Sequence, residues 1–152
     1  MSSGPISHRA DTQRASRSPA QLTALVVGVW WTTNGIGALV LDPNLTTSHV
    51  NGAGDLFGVT IIVNGWHALF HLVPGLAGIA ASRRPGPALA FTLTAGAVYI
   101  VAGGWGLLAG GDSIGVIAVD TSGDLIHVFE GALTLAGGIL TLALRAGRGR
   151  NA

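Results

Sequence analysis

The sequence predicts an all-α integral membrane protein, a four-helix bundle built from two tandem two-helix repeats that run parallel to one another. Three observations carry that prediction. First, four long apolar segments divide a chain of 152 residues in which 49% are hydrophobic and only 10% are charged, against about 25% charged in an ordinary soluble domain. Second, all eight basic residues are arginines, and they fall in three clusters. Arg9, Arg14 and Arg17 precede the first segment, Arg83 and Arg84 separate the second from the third, and Arg145, Arg148 and Arg150 follow the fourth. Third, the later half of the chain repeats the earlier half.

Residues 1–19 are rich in Ser and Arg without apolar periodicity and read as a disordered cytoplasmic tail. The predicted spans are residues 20–41, 56–81, 88–110 and 122–144, each long enough to cross a hydrocarbon core of ~30 Å as a helix. Residues 82–87 form a short turn, in which Pro85 and Pro87 stop the preceding helix. The loops at 42–55 and 111–121 hold Asp42, Asp55, Asp112 and Asp120 and no arginine. Arginine collects on cytoplasmic loops, so both termini are expected in the cytoplasm of a multi-pass cell-membrane protein, with residues 145–152 as a basic cytoplasmic tail. The start of the fourth span is open between about residues 114 and 122, because the repeat favours the earlier position and Arg145 the later.

The repeat is read at two constant offsets. Asn64, Leu69, His71 and Gly75 meet Asp120, Leu125, His127 and Gly131 at an offset of 56, and Gly28, Trp31 and Gly35 meet Gly96, Tyr99 and Gly103 at an offset of 68. Both copies start on the same side, so the implied twofold axis runs along the membrane normal.

Cysteine is absent, which excludes disulfides and thiolate metal sites. Neither a Walker loop nor a G-x-S-x-G elbow occurs, so soluble-enzyme chemistry has little support and a nucleic-acid partner none. The expected partner is the lipid bilayer. Small-residue faces at Ala102, Gly106 and Gly110, and at Gly28, Gly35 and Gly37, allow close helix packing or a homo-oligomeric or membrane partner. Trp30 and Trp31 lie mid-span and are expected to pack or face lipid. Pro74 is expected to kink the second span and free a carbonyl near His71.

The chemistry-bearing residues form an intramembrane polar layer. Asn64, His67 and His71 share a stripe with Gly75 on the second segment, and Asp120, Asp124 and His127 share one with Gly131 on the fourth, with Glu130 at its edge. Facing lipid would cost a charged group about 2.5–3.5 kcal/mol at mid-membrane, so the two faces are expected to meet inside the bundle. Three readings follow. The favoured one is a non-enzymatic membrane module in which Asp124 or Glu130 accepts from a histidine, Asn64 fills a remaining bond, and no cofactor is needed. The alternatives are a metal site on His67, His71 and His127, or haem between His71 and His127, and a proton or small-ion pathway.

The segments "SPAQLTALVVGV", "DLFGV", "HALFHLVPGLAGIAASR" and "VDTSGDLIH" together resemble a bacterial family of small four-span membrane proteins catalogued as domain of unknown function 4383. The likeness covers nearly all of residues 18–144. The family pattern places two histidines four apart in the second helix and an asparagine-threonine and an aspartate-asparagine pair before a histidine in the fourth. His67, His71 and His127 match it, whereas Gly123 stands at the aspartate position, Asp124 at the neighbouring asparagine and Asp120 at the first asparagine. The resemblance implies the four-span fold and the membrane location, and it implies no activity.

Overall fold

Ser18 starts the first helix. Its hydroxyl accepts from the Gln21 backbone N–H, its own N–H donates to the Gln21 side chain, and Pro19 supplies a fixed φ at the first helical position. The computed structural model describes residues 16–45, 52–110 and 113–150. Within them the chain runs α1 (Pro19–Leu41), β1 (Gly52–Leu56), β2 (Val59–Val63), α2 (Gly65–Ala81), α3 (Pro85–Ala109), β3 (Ser113–Ile114), β4 (Ile117–Ala118) and α4 (Thr121–Gly149). The protein is mostly helical, and α1, α3 and α4 are each long and apolar enough to cross a membrane. Arg9, Arg14 and Asp112, with His8 and His49 and most of the predicted N-terminal tail, lie outside the described residues.

The second helix departs from expectation. It begins at Gly65 rather than near residue 56, and its 17 residues make it shorter than the other three. The preceding apolar stretch is instead an antiparallel hairpin with Gly52 opposite Val63 and Leu56 opposite Val59. Two causes are visible. Val59-Thr60-Ile61-Ile62-Val63 is rich in β-branched residues, and Phe57 and Gly58 both take positive φ, 53° and 86°, as a two-residue primed turn requires. Asn64 then caps α2, its side chain accepting from the His67 backbone N–H.

The other outer loop is built the same way on a smaller scale. Strands β3 and β4 pair around Gly115, whose φ is 59°, and Asp120 caps α4 by accepting from the Gly123 N–H. Helix α4 therefore starts at Thr121, at the later of the two candidate positions. At its far end the helix runs on through the predicted tail to Gly149, with Arg148 in the last turn, where a cation favours the helix dipole. Pro85 and Pro87 likewise lie within the first turn of α3 rather than in a loop, since the missing N–H costs nothing there.

The bundle is lined with small and polar residues and sheathed in apolar ones. Buried positions on α1 are Ala20, Ala24, Gly28, Trp31, Gly35 and Ala38, and those on α3 are Ala88, Thr92, Gly96, Tyr99, Gly103 and Gly106. Val26, Val40, Val101, Trp105, Leu108 and Phe129 point outward and are all more than 60% exposed. Such a surface suits lipid and would be an aggregation liability in water.

Helix α1 packs most closely on α2, and α3 on α4. A Cβ placed on Gly28 would lie 2.6 Å from the Ile79 nitrogen and 2.8 Å from the Gly75 oxygen; one on Gly96 would lie 2.6 Å from the Leu135 nitrogen and 2.9 Å from the Gly131 oxygen. Gly35 is equally close to α2. By contrast Gly37 has nothing within 4 Å, so the expected packing role does not extend to it. On α3 the packed face runs through Gly96, Gly103 and Gly106 rather than through Ala102, Gly106 and Gly110, because Gly110 is exposed beyond the helix end.

The two bundle ends differ in charge. Gln21 donates to the Ser82 carbonyl and the Ala20 N–H to the Thr141 hydroxyl, which joins the start of α1 to the α2–α3 turn and to the later part of α4. Arg17, Arg83, Arg84, Arg145, Arg148 and Arg150 thus belong to one end, while Asp42, Asp55 and Asp120 sit at the hairpin end.

Candidate metal centre

His71 and His127 each lie seven residues past a capping side chain, Asn64 or Asp120. At 1.5 Å per residue this sets both about 10 Å into the bundle from the hairpin end. Their Nε2 atoms are 3.2 Å apart, and His67 Nε2 lies 3.1 Å from His71 Nε2. The three ring centroids form a near-equilateral triangle with sides of 5.0, 5.2 and 5.2 Å. All three imidazoles are buried, at 5% exposure or less, and one ligand atom from each falls within 4.8 Å of the others.

The outer ring nitrogens decide where the protons sit. A neutral imidazole carries one N–H. His67 Nδ1 is 2.7 Å from the Ala118 carbonyl, which can only accept, so the proton is on Nδ1 and Nε2 presents a bare lone pair. Tyr99 donates its hydroxyl proton to the Phe70 carbonyl at 2.8 Å, and its oxygen lies 3.3 Å from His71 Nδ1. With its proton on Nε2, His71 donates to the bare His67 Nε2 at 3.1 Å; with its proton on Nδ1, both Nε2 lone pairs face the space between the rings, where a cation would take both. His127 Nδ1 is buried with no hydrogen-bond partner, and its Nε2 faces that of His71.

The Phe70 carbonyl is the one Pro74 frees, four residues upstream of a residue with no N–H. The expected freed group near His71 is therefore present, and Tyr99 satisfies it. Tyr99→Phe should leave that carbonyl and His71 Nδ1 unpartnered, lowering stability by about 1–3 kcal/mol. Thermal unfolding in detergent checks this; an unchanged midpoint would show that the hydroxyl is dispensable.

The remaining predicted polar residues gather elsewhere. Glu130 accepts from the Trp30 indole at 2.5 Å and from the Trp31 indole at 2.9 Å, and so tethers α4 to α1. Asp124 packs against Gly106, where a Cβ would overlap its carboxylate, and its Oδ1 has no partner. Asn64 spans to the Val116 carbonyl at 2.9 Å. Among the described residues no hydrogen bond joins Asp124 or Glu130 to a histidine; the two acids expected to pair with the histidine layer turn to the indoles of α1 and to α3. For the expected haem between His71 and His127, the two Nε2 atoms are in direct contact at 3.2 Å, closer than the ~4 Å taken by two nitrogens at about 2 Å on either side of one iron.

Sequence reasoning missed the two tryptophans and Tyr99 as partners of the layer. Trp31 and Tyr99 stack with centroids 3.8 Å apart and planes 10° from parallel, beneath the histidines. Their pairing at an offset of 68 was the available signal.

No curated protein and no solved structure matches the chain. A family described as Domain of unknown function (DUF4383) matches residues 21–140, nearly the whole helical region and all three histidines. The chain belongs to the DUF4383 family.

Proposed function

We propose that this protein is a multi-pass membrane protein that binds one first-row transition-metal ion within its bundle through His67, His71 and His127. The observation that carries the reading is the convergence of three buried imidazoles, with the Nε2 of His71 3.1 Å from that of His67 and 3.2 Å from that of His127. Three nitrogens at tetrahedral angles around an ion at 2.0–2.1 Å would be separated by about 3.3–3.4 Å, and both separations from His71 Nε2, 3.1 and 3.2 Å, are close to this. Ala118 and Tyr99 hold the outer nitrogens of His67 and His71, the arrangement that orients metal-bound imidazoles. Imidazole donors favour zinc, copper, nickel and iron over magnesium or calcium.

Protein purified in detergent should carry, or take up on titration, one zinc or cobalt ion per chain, read by elemental analysis and by the visible bands of cobalt. A chain that stays free of metal after equilibration with both ions would end this reading.

The same proposal includes the tandem repeat and the orientation. Two features support the repeat: the Gly28 and Gly96 contacts, whose two nearest atoms correspond at offsets of 68 and 56, and the stack of Trp31 on Tyr99. Six arginines at one bundle end support an orientation with that end, and both termini, in the cytoplasm. The site would then open away from the cytoplasm.

A further inference from the structure

Beside the histidine triangle lies a cavity of about 270 Å³, lined by His67, His71 and His127 and by Gly37, Gly123 and Glu130 among others. Resting on the metal reading above, we propose that the bound ion keeps a fourth coordination position open to this cavity, where it exchanges a small monodentate ligand of a few heavy atoms.

Three observations point there. Among the described residues, three nitrogen donors converge there. Glu130, a carboxylate on the cavity wall, has one oxygen engaged by the Trp30 indole and the other by the Trp31 indole. The residue that the offset of 56 pairs with His67 is Gly123, which lines the cavity and supplies no ligand atom; a Cβ there would lie 2.7 Å from Val119, so the position is closed to a fourth imidazole. Structural zinc sites close all four positions with protein ligands; sites that bind or activate a ligand leave one open.

Size and lining restrict the ligand. Pockets for drug-sized molecules start at about 300 Å³, whereas at ~30 Å³ per water this space holds roughly nine waters. The cavity reaches the hairpin end past Asn34, Leu41, Gly54 and Asp55, the end opposite the arginines. A small water-borne donor such as a triatomic anion fits the space.

Gly37 supplies the test. It lines the cavity, and a Cβ there meets nothing within 4 Å, so a larger side chain can fill the space without disturbing the helices. Detergent-purified protein loaded with cobalt would be titrated with sodium azide and followed by its visible spectrum. The expected result is a saturable shift in the wild type and at least a tenfold weaker response in Gly37→Phe, with equal cobalt content. No shift in a wild type that holds cobalt would overturn the open position while leaving the metal site standing. An equal shift in Gly37→Phe would overturn the cavity as the route to the ion. Failure of the wild type to take up cobalt would sink both readings together.

Discussion

In His71→Ala protein, metal affinity should fall by on the order of 100-fold or more. Loss of a merely supporting partner behind a metal ligand costs about 10–100-fold, and His71 is a donor itself. It is also the central one: its Nε2 stands 3.1 Å from that of His67 and 3.2 Å from that of His127. Linkage supplies a second readout. Metal at a hundredfold excess over its dissociation constant should stabilise the wild type by about 2.7 kcal/mol, and His71→Ala hardly at all. Val73→Ala, on the exposed face of the same helix, should behave as the wild type in both assays. His71→Asn, which keeps a polar side chain, guards against a folding defect, and size-exclusion chromatography should place both variants with the wild type. Cobalt binding of equal strength in a well-folded His71→Ala protein would refute a three-histidine centre.

The second large effect is expected at the helix contacts. Gly28→Ala and Gly96→Ala should each destabilise the bundle by about 1–3 kcal/mol or more. Two terms oppose one another. Alanine gains up to ~1 kcal/mol of helix propensity over glycine. Against that, the added methyl would sit 2.6 Å from a backbone nitrogen of the facing helix, and backbone cannot swing aside as a side-chain end can. The clash wins. Gly104→Ala, with nothing within 4 Å, should keep or slightly raise the unfolding midpoint. Because the Gly28 and Gly96 contacts involve corresponding atoms, their losses should also be similar. A midpoint that drops in one variant only would argue against equivalent hairpins.

The helices were legible because lipid imposes a simple rule: every buried backbone group must bond internally over a fixed thickness. Hydropathy therefore located α1, α3 and α4 to within a few residues at most ends. It failed at residues 56–63, because an apolar run has the same hydropathy as a strand or a helix. What separated them was the β-branched run and the Phe57–Gly58 turn. The candidate site was legible in its residues and not in its bonds. The spacing of His67, His71 and His127 placed them on inward stripes, yet the acids next to them in sequence turned to other partners. Glu130, three residues past His127, points at two indoles on α1, and Asp124, three residues before it, points at α3.

By itself the sequence determined that this chain has four helical segments, the family to which it belongs, and three histidines turned toward a common interior. These follow from periodicity and motif spacing, which are properties of one segment at a time. Only the tertiary structure decided that the three imidazoles converge, that Ala118 and Tyr99 hold the outer nitrogens of His67 and His71, and that a cavity lies beside them. Those facts depend on distances between α2, α3, α4 and a hairpin, to within a few tenths of an ångström. That is the scale on which a lone pair becomes either a hydrogen-bond acceptor or a metal ligand.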